Sequence, residues 1–261
     1  SPKHWATMYI CYMKGVIIGS GNVATHLANA FSRGSVENFT LYARNPLALA
    51  EVSKSSGYPI AETLPNAEFY LIAVADDAVA EVSSKISYSD CLVAHTSGSL
   101  SREISQGNYR KACFYPMQTF SKQKEMSYSE IPVFVEAENP KDLNFLTSLA
   151  QSFTQSVMQS SYVQRRYAHL TAVFACNFVN HLFTRANEIS DSQNIPFNYF
   201  YPLIEETVEK IQTLDPKLAQ TGPAIRNDQR VIEMHKNLIT DPTHAEIYDV
   251  MTRSIQALYH S

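Results

Sequence analysis

The chain lacks most features that would place it at a glance. Its 261 residues carry a net charge of only −4, so there is no basic surface for nucleic acid or an anionic membrane. No apolar run approaches the roughly 20 residues that span a bilayer. The first thirteen residues hold Trp5, Tyr9, Ile10, Cys11 and Tyr12 with a single lysine. They lack the charged start and cleavage site of a signal peptide, which sets a cytoplasmic expectation. The four cysteines, Cys11, Cys91, Cys113 and Cys176, form no Cys-x-x-Cys pair and read as buried free thiols rather than a catalytic thiol. No His/Cys/Asp cluster has metal-ligand spacing, so no metal is expected, and there is no internal repeat or low-complexity linker. What remains is an ordinary globular composition, 45% apolar and 18% charged, long enough to bury a substantial core in one domain or two.

The most informative stretch is Lys14–Ala24, with the spacing Gly-x-Gly-x-x-Ala. Val16-Ile17-Ile18 reads as a buried parallel strand, and Val23, Leu27, Ala30 and Phe31 have helical spacing. In such a junction Gly19 permits the tight turn, Gly21 lets the backbone approach a pyrophosphate, and Ala24 is small enough for the helix to pack on the strand. The helix N-terminus then offers free N–H groups to phosphates, with Ser20, Asn22 and Val23 in the same loop. The competing reading is a glycine-rich turn without a cofactor.

The first half alternates short apolar strands (14–18, 39–43, 69–75, 91–94, 112–114, 133–136) with helical stretches (23–32, 46–56, 77–86, 100–106). That order predicts βαβ units and a parallel sheet with helices on both faces, closed by a helix over 139–153. The second half changes to an all-α pattern: a long helix over about 162–192, then 202–213, 228–239 and 241–258. The expected division falls near residue 156, giving domains 1–156 and 157–261.

In a dinucleotide site the end of the second strand meets the adenosine ribose, where an acid binds the 2′-hydroxyl and a base accommodates a 2′-phosphate. Here that strand ends Ala43-Arg44-Asn45-Pro46, with no carboxylate. Arg44, supported by Asn45, therefore points to NADP(H) over NAD(H). Ala73, Val74 and Ala75 fit the backbone-exposing exit of the next strand. Asp76 or Asp77 fits either the ribose side or a helix cap, with capping the first choice for one of them. At the following strand exit His95, Ser97 and Gly98 reach the crevice where such sheets bind ligands, although strand-end hydroxyls also cap helices. The segment 114–120, with Met117, Gln118 and Thr119 as substrate-side candidates, should form the far wall of the nicotinamide pocket.

With these marks the chain resembles the 6-phosphogluconate-dehydrogenase-like reductase superfamily, whose relatives include pyrroline-5-carboxylate reductase and ketopantoate reductase. More narrowly, it resembles a bacterial family of Rossmann-like NADP oxidoreductases. The resemblance runs from Lys14 onwards through residues 19–24, 95–99 and 115–120, Asn177, and Thr221–Asp228. It implies a Rossmann domain, an all-α C-terminal domain and an NADP(H) cofactor. It also implies a homodimer meeting through the helical domain, because the helix after the 221–228 turn often meets the partner in related reductases. Ketopantoate and β-hydroxyacid members carry Lys-x-x-x-Asn on the long helix; here Val173 stands one turn before Asn177, so the lysine acid of those members is missing.

Without that lysine, the proton-donor candidates are His95, His169 and His181, with Asn177 as an orienting donor. Arg226, with nearby backbone amides, suits a substrate carboxylate or phosphate, and Asp228 suits a helix N-cap or a pair with Arg226. The leading expectation is an NADP(H)-dependent oxidoreductase acting on a small carbonyl, imine or hydroxy acid. A catalytically weak NADP(H)-binding sensor is the alternative, and a deazaflavin-dependent reductase is a third reading that Arg44 opposes.

Overall fold

The computed structural model describes residues 10, 12–121 and 126–260. The chain divides into two compact units, one ending at Ala175 and the other beginning at Cys176.

The first unit is built on a seven-stranded sheet of order β2-β1-β3-β4-β5-β6-β7. The strands are β1 (Gly15–Ile18), β2 (Phe39–Tyr42), β3 (Phe69–Ile72), β4 (Leu92–His95), β5 (Arg110–Pro116), β6 (Val133–Ala137) and β7 (Val157–Gln159). The inner strands are buried on both faces, which is why their sequences are runs such as Gly-Val-Ile-Ile rather than alternations. On β1, Ile17 faces one apolar layer, while Val16 and Ile18 face the other. The first layer is covered by α1 (Asn22–Arg33) and α4 (Pro140–Gln151). In it Phe31 meets the rings of Phe39, Phe114 and Phe153. The opposite face is covered by α3 (Val79–Ser84), whose Val79 is buried beside Tyr70 and Val93. A further helix, α2 (Ala50–Ser56), packs next to α1.

Strands β2 to β5 are parallel as expected, but β6 runs antiparallel to β5. The connection over 117–132 contains no helix among its described residues, and a parallel return needs a crossover element. Helix α4 then supplies such a crossover, and β7 lies parallel to β6. β7 itself was not expected. The expected helix over 100–106 is a single 3-10 turn at Arg102–Ile104.

Chain order reverses at β1: β2 lies on one side and β3 on the other. The crevice beyond the carboxyl ends of β1 and β3 is where open α/β sheets take ligands.

The first unit extends past the expected boundary near 156 because α5 (Tyr162–Ala172) is tied to the sheet through buried Arg165. The chain then runs through a π-helical stretch, Val173–Phe178, which crosses the division between the units. The second unit continues with α6 (Val179–Asp191), α7 (Tyr201–Thr213), α8 (Pro216–Ala219), α9 (Gln229–Leu238) and α10 (Pro242–His260). Of its described residues only Ser190, Ala224 and Ile232 are buried. Large apolar side chains stand exposed along it, among them Tyr199, Leu203, Ile211, Leu218 and Leu238. Cys91 and Cys113 are buried free thiols, but Cys176 is exposed in the π-helical stretch, contrary to expectation; Cys11 lies outside the described residues. No described helix is long and apolar enough to cross a membrane.

Candidate functional site

The β1–α1 turn is fixed by sterics. Gly19 has φ +135°, and a Cβ there would fall 2.1 Å from the Ala73 carbonyl oxygen at the exit of β3. The turn is closed by Gly19 N–H donating to Tyr42 O (2.9 Å) and Ala73 N–H donating to Ile18 O (2.8 Å). Gly21 is the N-cap of α1 and supplies no side-chain cap; the space a Cβ would occupy there is open. The first turn of α1 contains no acidic residue. Open amides at a helix N-terminus without a competing carboxylate fit a phosphate group. Ala24 is buried against the sheet, as the motif requires.

A cavity of about 390 Å³ opens beside this turn. Its walls include Gly19, Ser20, Tyr42, Arg44, Asn45 and Val74, so five of the expected cofactor residues meet at one place, while Gly21, Asn22, Val23, Ala73, Ala75, Ser97 and Gly98 do not line it. Arg44 is highly exposed and lies 3.5 Å from Glu81. Asn45 caps the following 3-10 turn, accepting from Leu47 N–H at 3.1 Å. Neither Asp76 nor Asp77 caps a helix: the cap position before them is Ala75, and Asp76 Oδ2 instead accepts from Ser99 Oγ at 2.6 Å.

The β4 exit is a rigid, internally bonded loop. His95 is fully buried; its Nδ1 accepts from Ser97 N–H (3.1 Å), so Nε2 carries the proton and donates to Ser101 O (3.0 Å). Burial pushes its pKa down to about 4. Both ring nitrogens are committed to backbone, so His95 holds the loop and has no proton to offer a ligand. Ser97 Oγ accepts from the amides of Ser99 and Leu100 (3.1 Å each), a turn-capping role. Arg165, from α5, secures the same loop. Its guanidinium is wholly buried, donates to the carbonyls of Ser97 (3.3 Å) and Leu100, and pairs with Glu136 of β6.

His169 lies one turn after Arg165 on α5 and is exposed. Its Nδ1 is 3.2 Å from the hydroxyl of Tyr115 on β5, and a Cβ on Gly98 would meet His169 Nδ1 and Tyr115 Cζ at 2.7 Å. Glycine at 98 is thus what lets the loop pack under the pair. Burial raises the Tyr115 phenol above its ordinary pKa, so it stays protonated. Tyr115 belongs to the 115–120 motif read from the sequence, but no role of its own was expected for it; its place at the carboxyl end of β5 is the signal.

Met117, Gln118 and Thr119 follow β5 as expected, with Gln118 Oε1 accepting from Thr119 N–H at 2.8 Å. The remaining candidates belong to the second unit. Asn177 is exposed within the π-helical stretch, and His181 Nε2 accepts from Arg185 at 3.3 Å. Asp228 is the N-cap of α9, accepting from Val231 N–H at 3.2 Å, and Arg226 is exposed. Residues 221–224 line an apolar cavity of about 330 Å³ with α6 and α10, into which Arg226 does not project.

A mostly parallel sheet with a glycine turn at its switch point, followed by a helical unit, defines a Rossmann-type protein. The comparisons agree. The family described as "Domain of unknown function (DUF2520)" matches residues 131–255. A solved structure described as a "putative NADP oxidoreductase" from Bacteroides fragilis is 37% identical over 95% of this chain and 99% of its own, with TM-score 0.87. A Thermotoga maritima protein is 18% identical over 94% of this chain and 98% of its own, with TM-score 0.75. A reductive aminase from Aspergillus terreus, in complex with NADPH and ethyl levulinate, is 12% identical over 95% of each chain, with TM-score 0.71. These last two share the fold. No curated protein matches the chain. The chain belongs to the family of Rossmann-like NADP oxidoreductases that the Bacteroides protein represents.

Proposed function

We propose that this protein is an NADP(H)-dependent oxidoreductase acting on a small carbonyl, imine or hydroxy acid. The observation that carries the reading is the open, acid-free N-terminus of α1 beside a cavity whose far wall holds Arg44. Kinship with the Bacteroides protein supports the same choice. A bound nicotinamide supplies or accepts the hydride. The amides after Gly19 and Gly21 hold the pyrophosphate, and Arg44 binds the 2′-phosphate. Ser97 and Gly98 form the floor on the nicotinamide side. His169, steadied by Tyr115, exchanges a proton at Nε2, the ring nitrogen its tyrosine bond leaves available. Met117, Gln118 and Thr119 wall the substrate, while Asn177, His181, Arg226 and Asp228 are assigned to the substrate side of a dimeric protein.

The small core of the second unit supports a dimer. With three buried residues among its described ones and many exposed leucines and aromatics, the unit presents apolar surface of the kind that subunit contacts cover. A second copy is the occupant we assign to that surface.

Turnover of NADPH by the purified protein with a panel of keto acids, ketones and imines tests the activity. Consumption of NADPH dependent on one member supports it. Tight NADPH binding without turnover across the panel favours the sensor reading, which the missing helix lysine at Val173 also favours. Absence of NADPH binding overturns both.

A further inference from the structure

We propose that Lys85 joins Arg44 in a two-cation clamp for the cofactor's 2′-phosphate, and that Glu81 is the counter-ion that sets its preference for NADP over NAD. This rests on the proposed dinucleotide role of the cavity. Arg44 comes from the end of β2, whereas Lys85 closes the C-terminus of α3, yet both line the cavity that holds Gly19 and Ser20. Their charged heads converge on one atom: Glu81 Oε1 is 3.5 Å from Arg44 Nη2 and 2.8 Å from Lys85 Nζ.

All three side chains are more than half exposed, so this trio contributes little to the stability of the fold. Its chemistry is that of an anion seat already held by an anion. Two cations brought together repel unless a negative group lies between them, and Glu81 supplies that charge. Lys85 and Arg44 hold its carboxyl below the usual range. A phosphate monoester carries about −1.5 to −2 charges and three acceptor oxygens. It satisfies a guanidinium fork and an ammonium together, and so outcompetes a single carboxylate for both. A ribose 2′-hydroxyl has no such charge, but it can donate to a carboxylate. Glu81 therefore provides the acid missing from the end of β2. NADP displaces Glu81 from the cations, whereas NAD uses it, and the balance of the trio sets the ratio of affinities.

The test is equilibrium titration of the full chain with NADPH and with NADH, for the wild type and for Lys85→Ala, Lys85→Arg and Glu81→Gln. Thermal melts verify folding of these exposed-site variants. Lys85→Ala should weaken NADPH on the order of tenfold and leave NADH within about twofold, as expected for loss of one charged hydrogen bond. Lys85→Arg should recover most of the loss. Glu81→Gln should tighten NADPH and weaken NADH, widening their ratio. Equal losses for both cofactors in Lys85→Ala, or an unchanged ratio in Glu81→Gln, would overturn the clamp while wild-type NADPH binding leaves the dinucleotide reading standing. A wild type that binds neither cofactor overturns both.

Discussion

Tyr115 and His169 meet at 3.2 Å across elements far apart in sequence, a β-strand end and a helix turn, directly above Gly98. Position and chemistry together make this pair the proton-handling group of the proposed reaction. His169→Gln should lower the reductive kcat by about 10²-fold or more, the scale of a lost general acid. Tyr115→Phe removes only the bond that steadies the ring and should cost about tenfold. A His169→Gln enzyme with the wild-type rate would move the proton elsewhere.

His95 makes the fold acid-sensitive. Its folded pKa, about 4, lies below the ordinary histidine value of 6.5. Between those values the unfolded chain binds the extra proton, so stability rises with pH. The contribution is fully present above about pH 6.5 and is lost as pH falls towards 4, on the order of 3 kcal/mol in all. Calorimetric melts at pH 7, 5.5 and 4.5 should show this slope, and His95→Asn should flatten it while lowering stability at neutral pH. Identical slopes in both proteins would refute the assignment.

Arg165 has no exposed surface and serves three acceptors. Arg165→Met removes the donor of the Leu100 carbonyl, leaves the Ser97 carbonyl only the Cys113 thiol at 3.5 Å, and leaves Glu136 only Arg102 at 3.7 Å; it should cost about 3 kcal/mol in urea unfolding. Adding Glu136→Gln should recover part of that loss, because the carboxylate that has lost its nearer partner is gone. A purely additive double mutant would show that the two side chains do not couple.

Sedimentation equilibrium should give about twice the 29.3 kDa chain mass. Leu203→Asp with Ile211→Asp on α7 should shift the protein towards monomer and lower its melting temperature, which should then depend on concentration. A monomeric, stable wild type would refute the dimer.

Much of the first unit was legible because its signals are local and steric. Gly19 is dictated by an approach of 2.1 Å that admits no Cβ, and the strand runs are dictated by burial on both faces. What stayed hidden depends on partners distant in the chain. Arg165 looks like any helix-surface arginine until the carbonyls of Ser97 and Leu100 surround it. Asp76 sits where a cap belongs, but Ser99, brought alongside by β4, competes for it. The reversal of β6 was not legible either, because the sequence of a strand does not carry its direction. Histidine identity alone kept His95, His169 and His181 all as proton-donor candidates; only burial and bonding separate a structural imidazole from an accessible one.

The contact between Gly19 and the Ala73 carbonyl has a kinetic consequence. Backbone hydrogen bonds tie the turn to β2 and the β3 exit to β1, so the proposed phosphate seat is already shaped before a ligand lands. Association at that seat is then limited by encounter and by the charge of the approaching molecule. Its rate should fall with ionic strength, and differences in residence time should arise at the groups that grip the ligand afterwards.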